Sequence, residues 1–314
     1  MPDDRMSTIL LTGAGGFAGS HLLDRLTGRG TIVAWSRASR PNTPTVTWQN
    51  VDLLDKARVV RALADARPSA IYHLAGAARA DTAWTDVVPH LQANVLGTHH
   101  LLEGVRLNAL PCRVLVVTSA LVYDTARQPI DEDAPLEPAS PYGRSKLAQD
   151  LLALRAAADD GLDVVVARPF NHIGPRQESH FAIASFARQI ALIEAGRAEP
   201  VIRVGNLDAR RDLVDVRDVA DAYERLMTAG VSGRPYNICS GRTIRIGDAL
   251  DQLVGLARAP VHLLVDPARL RPADAAGIVG NAGRLHRESG WTPRYTLEET
   301  LRDTLDWWRG HIAA

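Results

Sequence analysis

Long apolar runs are missing from this 314-residue chain. None approaches the ~20 residues that cross a bilayer, so no helical membrane span and no membrane partner are expected. Cysteine is nearly absent. Cys112 and Cys239 each lie beside an apolar, strand-like run and form no C-x-x-C pair. That excludes a disulfide framework or thiolate metal site and leaves buried free thiols. The opening Met-Pro-Asp-Asp-Arg-Met is polar and reads as no signal peptide, which points to a cytoplasmic protein. An excess of either charge is missing too: Lys+Arg and Asp+Glu stand at 36 each. No global field therefore favours nucleic acid or an anionic membrane. His99, His100 and His172 lack partners at metal-ligand spacing, so no metal is expected. Repeats and low-complexity segments are absent. What is present is 46% hydrophobic content, enough for one large α/β domain or two lobes around one cleft.

Short β-branched runs alternate with helical patterns through the first half. Ser7–Leu11, Ile32–Trp35, Val46–Val51, Ala70–Leu74, Arg113–Val117 and Leu162–Ala167 read as strands. Helices are predicted near 55–66, 85–108 and 142–159. This alternation implies a Rossmann-type, doubly wound parallel sheet with helices on both faces. After Asn171 the rhythm loosens into helices near 181–196, 215–229, 246–257 and 297–309. Strand candidates there are Pro200–Val204, Arg234–Ile238 and Val261–Val265. The expected division is a dinucleotide-binding domain over 1–170 and a smaller α/β lobe over 171–314, with some segments returning to the first domain. Leu297, Leu301, Leu305 and Trp308 form a core stripe on the last helix.

Thr12-Gly-Ala-Gly-Gly-Phe-Ala-Gly19 joins the first strand to a helix that runs through Phe17, His21, Leu22, Leu23 and Leu26. Gly13, Gly16 and Gly19 suit the three tasks of a dinucleotide corner. One makes a tight turn, one lets the backbone approach a pyrophosphate, and one lets the helix pack on the sheet. An ordinary glycine-rich βα loop is the plain alternative. Downstream, Tyr142-Gly-Arg-Ser-Lys146 opens a helix after Pro141 and places Tyr142 and Lys146 on one face. A phenol with a pKa of roughly 10 exchanges protons poorly near neutrality, and a neighbouring ammonium stabilises its phenolate. A solvated i,i+4 pair would look the same. Ser119 ends the strand Arg113–Val117 plus Thr118, where ligands collect in open parallel sheets. It could orient a carbonyl oxygen, or simply cap a loop.

The glycine corner, the strand-end serine and Y-x-x-x-K, in this order, resemble the extended short-chain dehydrogenase/reductase family. The resemblance takes in His73-Leu-Ala-Gly-Ala77, Asn94 and Arg168-Pro-Phe-Asn171 and covers nearly the whole chain. It implies that Ser119, Tyr142 and Lys146 are catalytic, with Tyr142 and Lys146 also at the cofactor. It places Gly13, Gly16, Phe17, Gly19, Asp52, Leu53, Leu74, Ala75, Gly76, Asn94 and Arg168 around that cofactor. Within the family, Asn171-His-Ile-Gly-Pro-Arg176, Gly205-Asn-Leu-Asp-Ala-Arg-Arg-Asp212, Tyr236-Asn-Ile-Cys-Ser-Gly241 and Leu270-Arg-Pro272 are similar to GDP-sugar enzymes, the GDP-4-keto-6-deoxy-mannose reductases and GDP-mannose 4,6-dehydratases. That likeness implies a nucleotide-sugar substrate, GDP-linked, met by Ser119, Asn171, Asn206, Arg211 and Arg271. A guanidinium fork suits a diphosphate. Family members usually pair through the helices near 85–108 and 142–159, so a homodimer is expected.

Reaction type is read from a departure. Two positions after Ser119, where the dehydratases carry an acid and the fucose-synthase branch a cysteine, this chain has Leu121. Leucine moves no proton, so simple hydride transfer to a 4-keto group remains, with GDP-D-rhamnose the expected product. A 4-epimerase or 4,6-dehydratase of the same fold, and a non-catalytic NAD(P)-binding regulator, stay open as alternatives. No acid closes the second strand to bond a ribose 2′-hydroxyl. Ser36, Arg37 and Arg40 stand there and could accept a 2′-phosphate, favouring NADP with NAD as the alternative. Asp131-Glu-Asp133 reads as a solvated loop.

Overall fold

In the computed structural model, residues 8–126, 128–269 and 277–313 are described. A seven-stranded sheet runs in the order β10 (Pro235–Ile238), β6 (Asp163–Pro169), β5 (Arg113–Val117), β4 (Ala70–His73), β1 (Thr8–Thr12), β2 (Thr31–Ser36), β3 (Val46–Asn50). Every neighbouring pair is parallel. Strands such as Leu10, Leu11, Val114, Leu115, Val164 and Val165 are buried on both faces, as continuous apolar runs in such sheets should be. One face packs α1 (Phe17–Leu26) and α7 (Val216–Ala229) in a cluster holding Leu22, Leu26, Val219 and Tyr223. The other packs α2 (Lys56–Ala66), α4 (Gly97–Leu107) and α5 (Pro141–Ala158) around Val59, Leu101, Val105 and Ala153.

Strand order reverses between β1 and β4. That gap is where the carboxyl ends of doubly wound strands leave a crevice. Three parts of the sequence meet there: the glycine corner after β1, Leu74–Gly76 after β4, and Thr118–Ser119 after β5.

The helix expected near 85–108 is not uniform. α3 (Val88–His90) passes through a π-helical stretch, Leu91–Leu96, before α4 begins. The wider turn carries Asn94, and such bulges gather at functional sites.

The remaining core is built by α6 (Ala182–Glu194), α8 (Ile246–Gly255) and α10 (Leu297–Ala313) around Phe186, Ile190, Leu250, Leu301 and Leu305. Two small sheets flank it. β7 (Asn171–Ile173), β9 (Arg210–Asp215) and β11 (Thr243–Arg245) form one, and β8 (Val201–Val204) with β12 (His262–Val265) forms the other. β7, β9, β11 and the short α9 (Gly283–Ser289) lie outside the predicted elements. β10 and α7 return to the first sheet and its face. Cys112 and Cys239 are buried and free. No described helix is long and apolar enough to cross a membrane.

Candidate active site

The glycine corner has the shape a dinucleotide needs. Gly13 sits at φ +73°, and a Cβ there would lie 2.7 Å from the Ala75 nitrogen, so the end of β4 rests directly on the turn after β1. A Cβ on Gly19 would stand 2.1 Å from the Gly13 carbonyl oxygen. The helix therefore seats against the turn because that position has no side chain. Gly16 caps α1 without a side-chain hydrogen bond, leaving the N–H groups of the first turn for an anion. This bare cradle fits a bound dinucleotide.

Arg40 is the cation that reaches the corner. Its guanidinium lies over the Trp48 ring at 4.9 Å and against Gly15, where a Cβ would meet Nη2 at 2.6 Å. Arg37 is exposed and offers its carbonyl to Asn50 Nδ2. The Ser36 hydroxyl accepts from the Ala38 N–H. Asp52 is exposed and its carboxylate closes a turn on the Leu54 N–H, while the Leu53 carbonyl accepts from His100 Nδ1 at 2.7 Å. Phe17 stacks on His172 with centroids 5.6 Å apart, joining the first turn of α1 to the segment that carries Asn171.

Tyr142 and Lys146 come from one face of α5. Ser140 accepts from the Gly143 N–H at 3.0 Å and Pro141 opens the helix, a sequence-local start signal. The Tyr142 phenol is buried, and Ser119 is the neighbour that favours its ionised form. Ser119 accepts from the Leu121 N–H at 3.1 Å, the loop cap weighed for this serine. Burial pushes the phenol up to about 12, with Ser119 pulling the other way. The expected lowering by Lys146 is not among the influences on it. The Lys146 ammonium turns to the Val117 carbonyl at 3.2 Å and to Gln149 Oε1 at 2.8 Å. His90 meets the Tyr142 ring edge-on at 6.3 Å, with its ring nitrogens on the Arg79 and Asp86 carbonyls.

Two expected cofactor ligands are occupied elsewhere. Arg168 is 2% exposed. Its Nε and Nη2 reach both oxygens of Asp150 at 2.9 and 2.7 Å, and Nη1 donates to Tyr123 Oη at 2.7 Å. The guanidinium is an internal brace between β6 and α5, not a cofactor contact. Asn94 accepts from the Ala77 N–H at 2.8 Å and donates to Ser145 Oγ at 3.0 Å. Its side chain shapes the Gly76–Ala77 loop and ties it to α5; a Cβ on Gly76 would come 2.5 Å from Asn94 Oδ1. The Asp131–Asp133 loop is also corrected. Glu132 is buried and accepts from the Asn237 N–H at 2.9 Å, and burial raises its pKa.

Asn171 and Arg211 of the expected substrate residues sit on one small sheet, and Asn206 lies in the loop between β8 and β9. Asn171 is exposed on β7, in register with Leu213 of β9, two residues beyond Arg211. Arg211 is half-buried and donates to the Arg210 carbonyl at 2.7 Å. Asn206 is exposed, its Oδ1 closing a turn on the Asp208 N–H. Arg271, with Leu270 and Pro272, lies outside the described residues. Sequence reasoning missed Gln149 and Thr98, which stand behind Lys146, and gave His73 no role beyond the family resemblance. The contacts that join the three span 25 to 61 residues of chain, so no local pattern announces them.

Comparison with known proteins agrees with this geometry. The family model described as GDP-mannose 4,6 dehydratase matches residues 10–304. The GDP-6-deoxy-D-mannose reductase of Pseudomonas aeruginosa is 36% identical over 97% of this chain and 98% of that protein. A UDP-glucose 4-epimerase of Mycolicibacterium smegmatis is 30% identical over 96% of this chain and 98% of its own length. The solved structure of RMD from Pseudomonas aeruginosa complexed with NADPH superposes with a TM-score of 0.84 at 34% identity, covering 97% of this chain and 99% of that one. The match runs from β1 into α10 and takes in the corner, the serine and the Tyr–Lys pair. The chain belongs to the GDP-mannose 4,6 dehydratase family, within the extended short-chain dehydrogenases/reductases.

Proposed function

We propose that this chain is an NADPH-dependent reductase of the C4 ketone of a GDP-4-keto-6-deoxy-hexose, giving GDP-D-rhamnose. The observation that carries the reading is what surrounds Tyr142. Ser119 is the polar neighbour that favours its ionised form, and Leu121 occupies the place where a second proton-transfer group would stand. His90, at the ring edge, has its nitrogens engaged with backbone carbonyls. One acid, with leucine rather than a proton-transfer group two positions after Ser119, suits a reaction with one proton to deliver. The Pseudomonas relative named GDP-6-deoxy-D-mannose reductase supports the same substrate class.

The glycine corner, Leu74–Gly76 and Lys146 would hold the dinucleotide, and a reduced nicotinamide there supplies hydride. Tyr142, raised by burial to about 12, stays protonated at neutral pH and passes its proton to the developing alkoxide. Ser119 shares the alkoxide charge as an oxyanion donor. Leu121 leaves the sugar's C–H bonds untouched. Arg40 at the corner favours the 2′-phosphate of NADP, in keeping with the NADPH of the Pseudomonas structure; a further neighbour is a complex with NAD. Asn171, Asn206, Arg211 and Arg271 would take the nucleotide sugar, with residues 171–314 forming most of that lobe.

Trp84, Val88, Leu91 and Leu151 are 57, 55, 43 and 52% exposed on or beside α3, the π-helical stretch and α5. This apolar surface supports pairing of two copies through those helices. Buried free thiols fit a reducing, cytoplasmic setting.

The test is to offer NADPH with GDP- or dTDP-linked 4-keto-6-deoxy sugars and follow the loss of reduced-nicotinamide absorbance. Consumption with the GDP sugar and a 6-deoxyhexose product is expected. Interconversion at C4 with tightly held NAD and no net consumption would make the chain an epimerase instead.

A further inference from the structure

Lys146 is held from behind by a continuous chain of hydrogen bonds. Gln149 Oε1 accepts from its ammonium at 2.8 Å, and Gln149 Nε2 donates to Thr98 Oγ1 at 2.9 Å. Thr98 Oγ1 donates to the Asn94 carbonyl at 2.7 Å. His73 Nε2 lies 2.8 Å from the same threonine oxygen, and His73 Nδ1 lies 2.8 Å from Thr12 Oγ1. Thr12 Oγ1 accepts from the Ala75 N–H at 3.2 Å. Thr12, His73, Thr98 and Gln149 are each 0% exposed, so water offers none of them another partner.

Counting donors leaves one arrangement. A hydroxyl has one proton and two lone pairs. The Thr98 proton goes to Asn94, so Gln149 and His73 both donate to Thr98. His73 is then the neutral Nε2–H tautomer, in keeping with a burial that pushes it down to about 3, Lys146 adding to the effect. Its Nδ1 accepts from the Thr12 hydroxyl, which in turn accepts from Ala75. With the Gln149 amide nitrogen committed to Thr98, its carbonyl oxygen must face Lys146. A flipped amide would set N–H groups against the ammonium and oxygen against lone pairs.

We propose that Gln149 is a positioning residue for the reaction: its carbonyl, locked by Thr98 and His73, aims the Lys146 ammonium at the cleft and holds it charged. Val117 and Gln149 take two of the three N–H groups. The third is left toward Gly76, where a Cβ would lie 3.5 Å from Nζ. The inference rests on reading Tyr142 and Lys146 as the reacting pair.

Such a device is needed because burial lowers Lys146 to about 7, opposed by the charge of Asp150. Asp150 is itself bound to Arg168. Tyr142 lies one turn earlier on α5, His73 faces Lys146 from β4 as a neutral ring, and β5 presents the Val117 carbonyl. The ammonium is present below its pKa and lost as pH rises through it. A fixed acceptor favours the charged form and extends the working range upward.

Lys56 and Lys146 are the only lysines in the chain. Protein labelled with 13C-lysine therefore gives two side-chain signals, and the half-exposed Lys56 serves as internal reference. In cofactor-free protein, Gln149→Leu should move the Lys146 midpoint about one pH unit down, the value of one hydrogen bond to a charged group. Gln149→Glu should move it up. Thr98→Val touches no atom of Lys146 but frees the amide, and should lower the midpoint by less. An unmoved midpoint in folded Gln149→Leu overturns the proposal. Should that variant not fold, an unmoved or lowered midpoint in Gln149→Glu does so. The titration uses neither cofactor nor sugar, so its failure is distinct from failure of the reductase assay.

Discussion

The two sides of the cleft are built from different materials. The cofactor side is backbone, glycine and fully satisfied buried groups: Gly13 against Ala75, Gly19 against Gly13, His73 between two threonines, Asn94 on Ala77. The proposed substrate side carries exposed side chains, Asn171 on β7 and Asn206 in the loop after β8. In the first, Thr12, His73, Thr98 and Gln149 are already partnered, and the first-turn N–H groups of α1 are what is left for a ligand. The second carries side chains that reach the surface. Substitutions on the cofactor side should therefore cost folding as well as function, and those on the substrate side function alone.

The largest effect belongs to the group where both sides meet. Tyr142→Phe removes the proton donor, and kcat should fall about 10²–10⁴-fold while NADPH affinity, measured by titration of cofactor fluorescence, stays near that of the parent. Near-normal turnover would remove Tyr142 from the chemistry. Next is the brace behind the cofactor side. Asp150→Ala strands the buried Arg168 guanidinium and should lower stability by about 3–5 kcal/mol, read from denaturant unfolding; a loss under ~1 kcal/mol, the range of exposed pairs, would show that the brace is dispensable. Gly19→Ala forces a Cβ into the Gly13 carbonyl and should cost about 1–3 kcal/mol together with weakened NADPH binding. Unchanged binding would mean the corner yields more easily than its contacts imply. Arg211→Ala is the smallest. KM for the nucleotide sugar should rise about tenfold, one charge-assisted hydrogen bond, with kcat little changed. An unchanged KM would remove Arg211 from the substrate side.

That contrast also explains what could be read from the chain. The corner was legible because its signals are local: a strand, glycines at fixed offsets, then an amphipathic helix. Ser140-Pro141 before Tyr142 is equally local. Arg168 was misread as a cofactor ligand because its partner, Asp150, is brought to it by β6 lying along α5. Asn94 lies in a π-helical stretch that its sequence, Leu-Gln-Ala-Asn-Val-Leu, does not distinguish from an ordinary helix. β9 reads Arg-Arg-Asp-Leu-Val-Asp, polar at its start, and becomes a strand through pairing with β7 and β11. Glu132 looked solvated between two aspartates, yet the backbone of β10 buries it. Each miss is a long-range contact overriding a local pattern.

The central claim is that one hydride and one proton are delivered and no sugar C–H bond is broken. Running the reaction in D₂O with NADPH and a GDP-4-keto-6-deoxy sugar, and examining the product by NMR, tests it directly. The account predicts a new C4–H from the cofactor and no deuterium at C3 or C5 above the enzyme-free rate. Deuterium at either carbon would show that a second proton-transfer group operates beside Tyr142, and would contradict it.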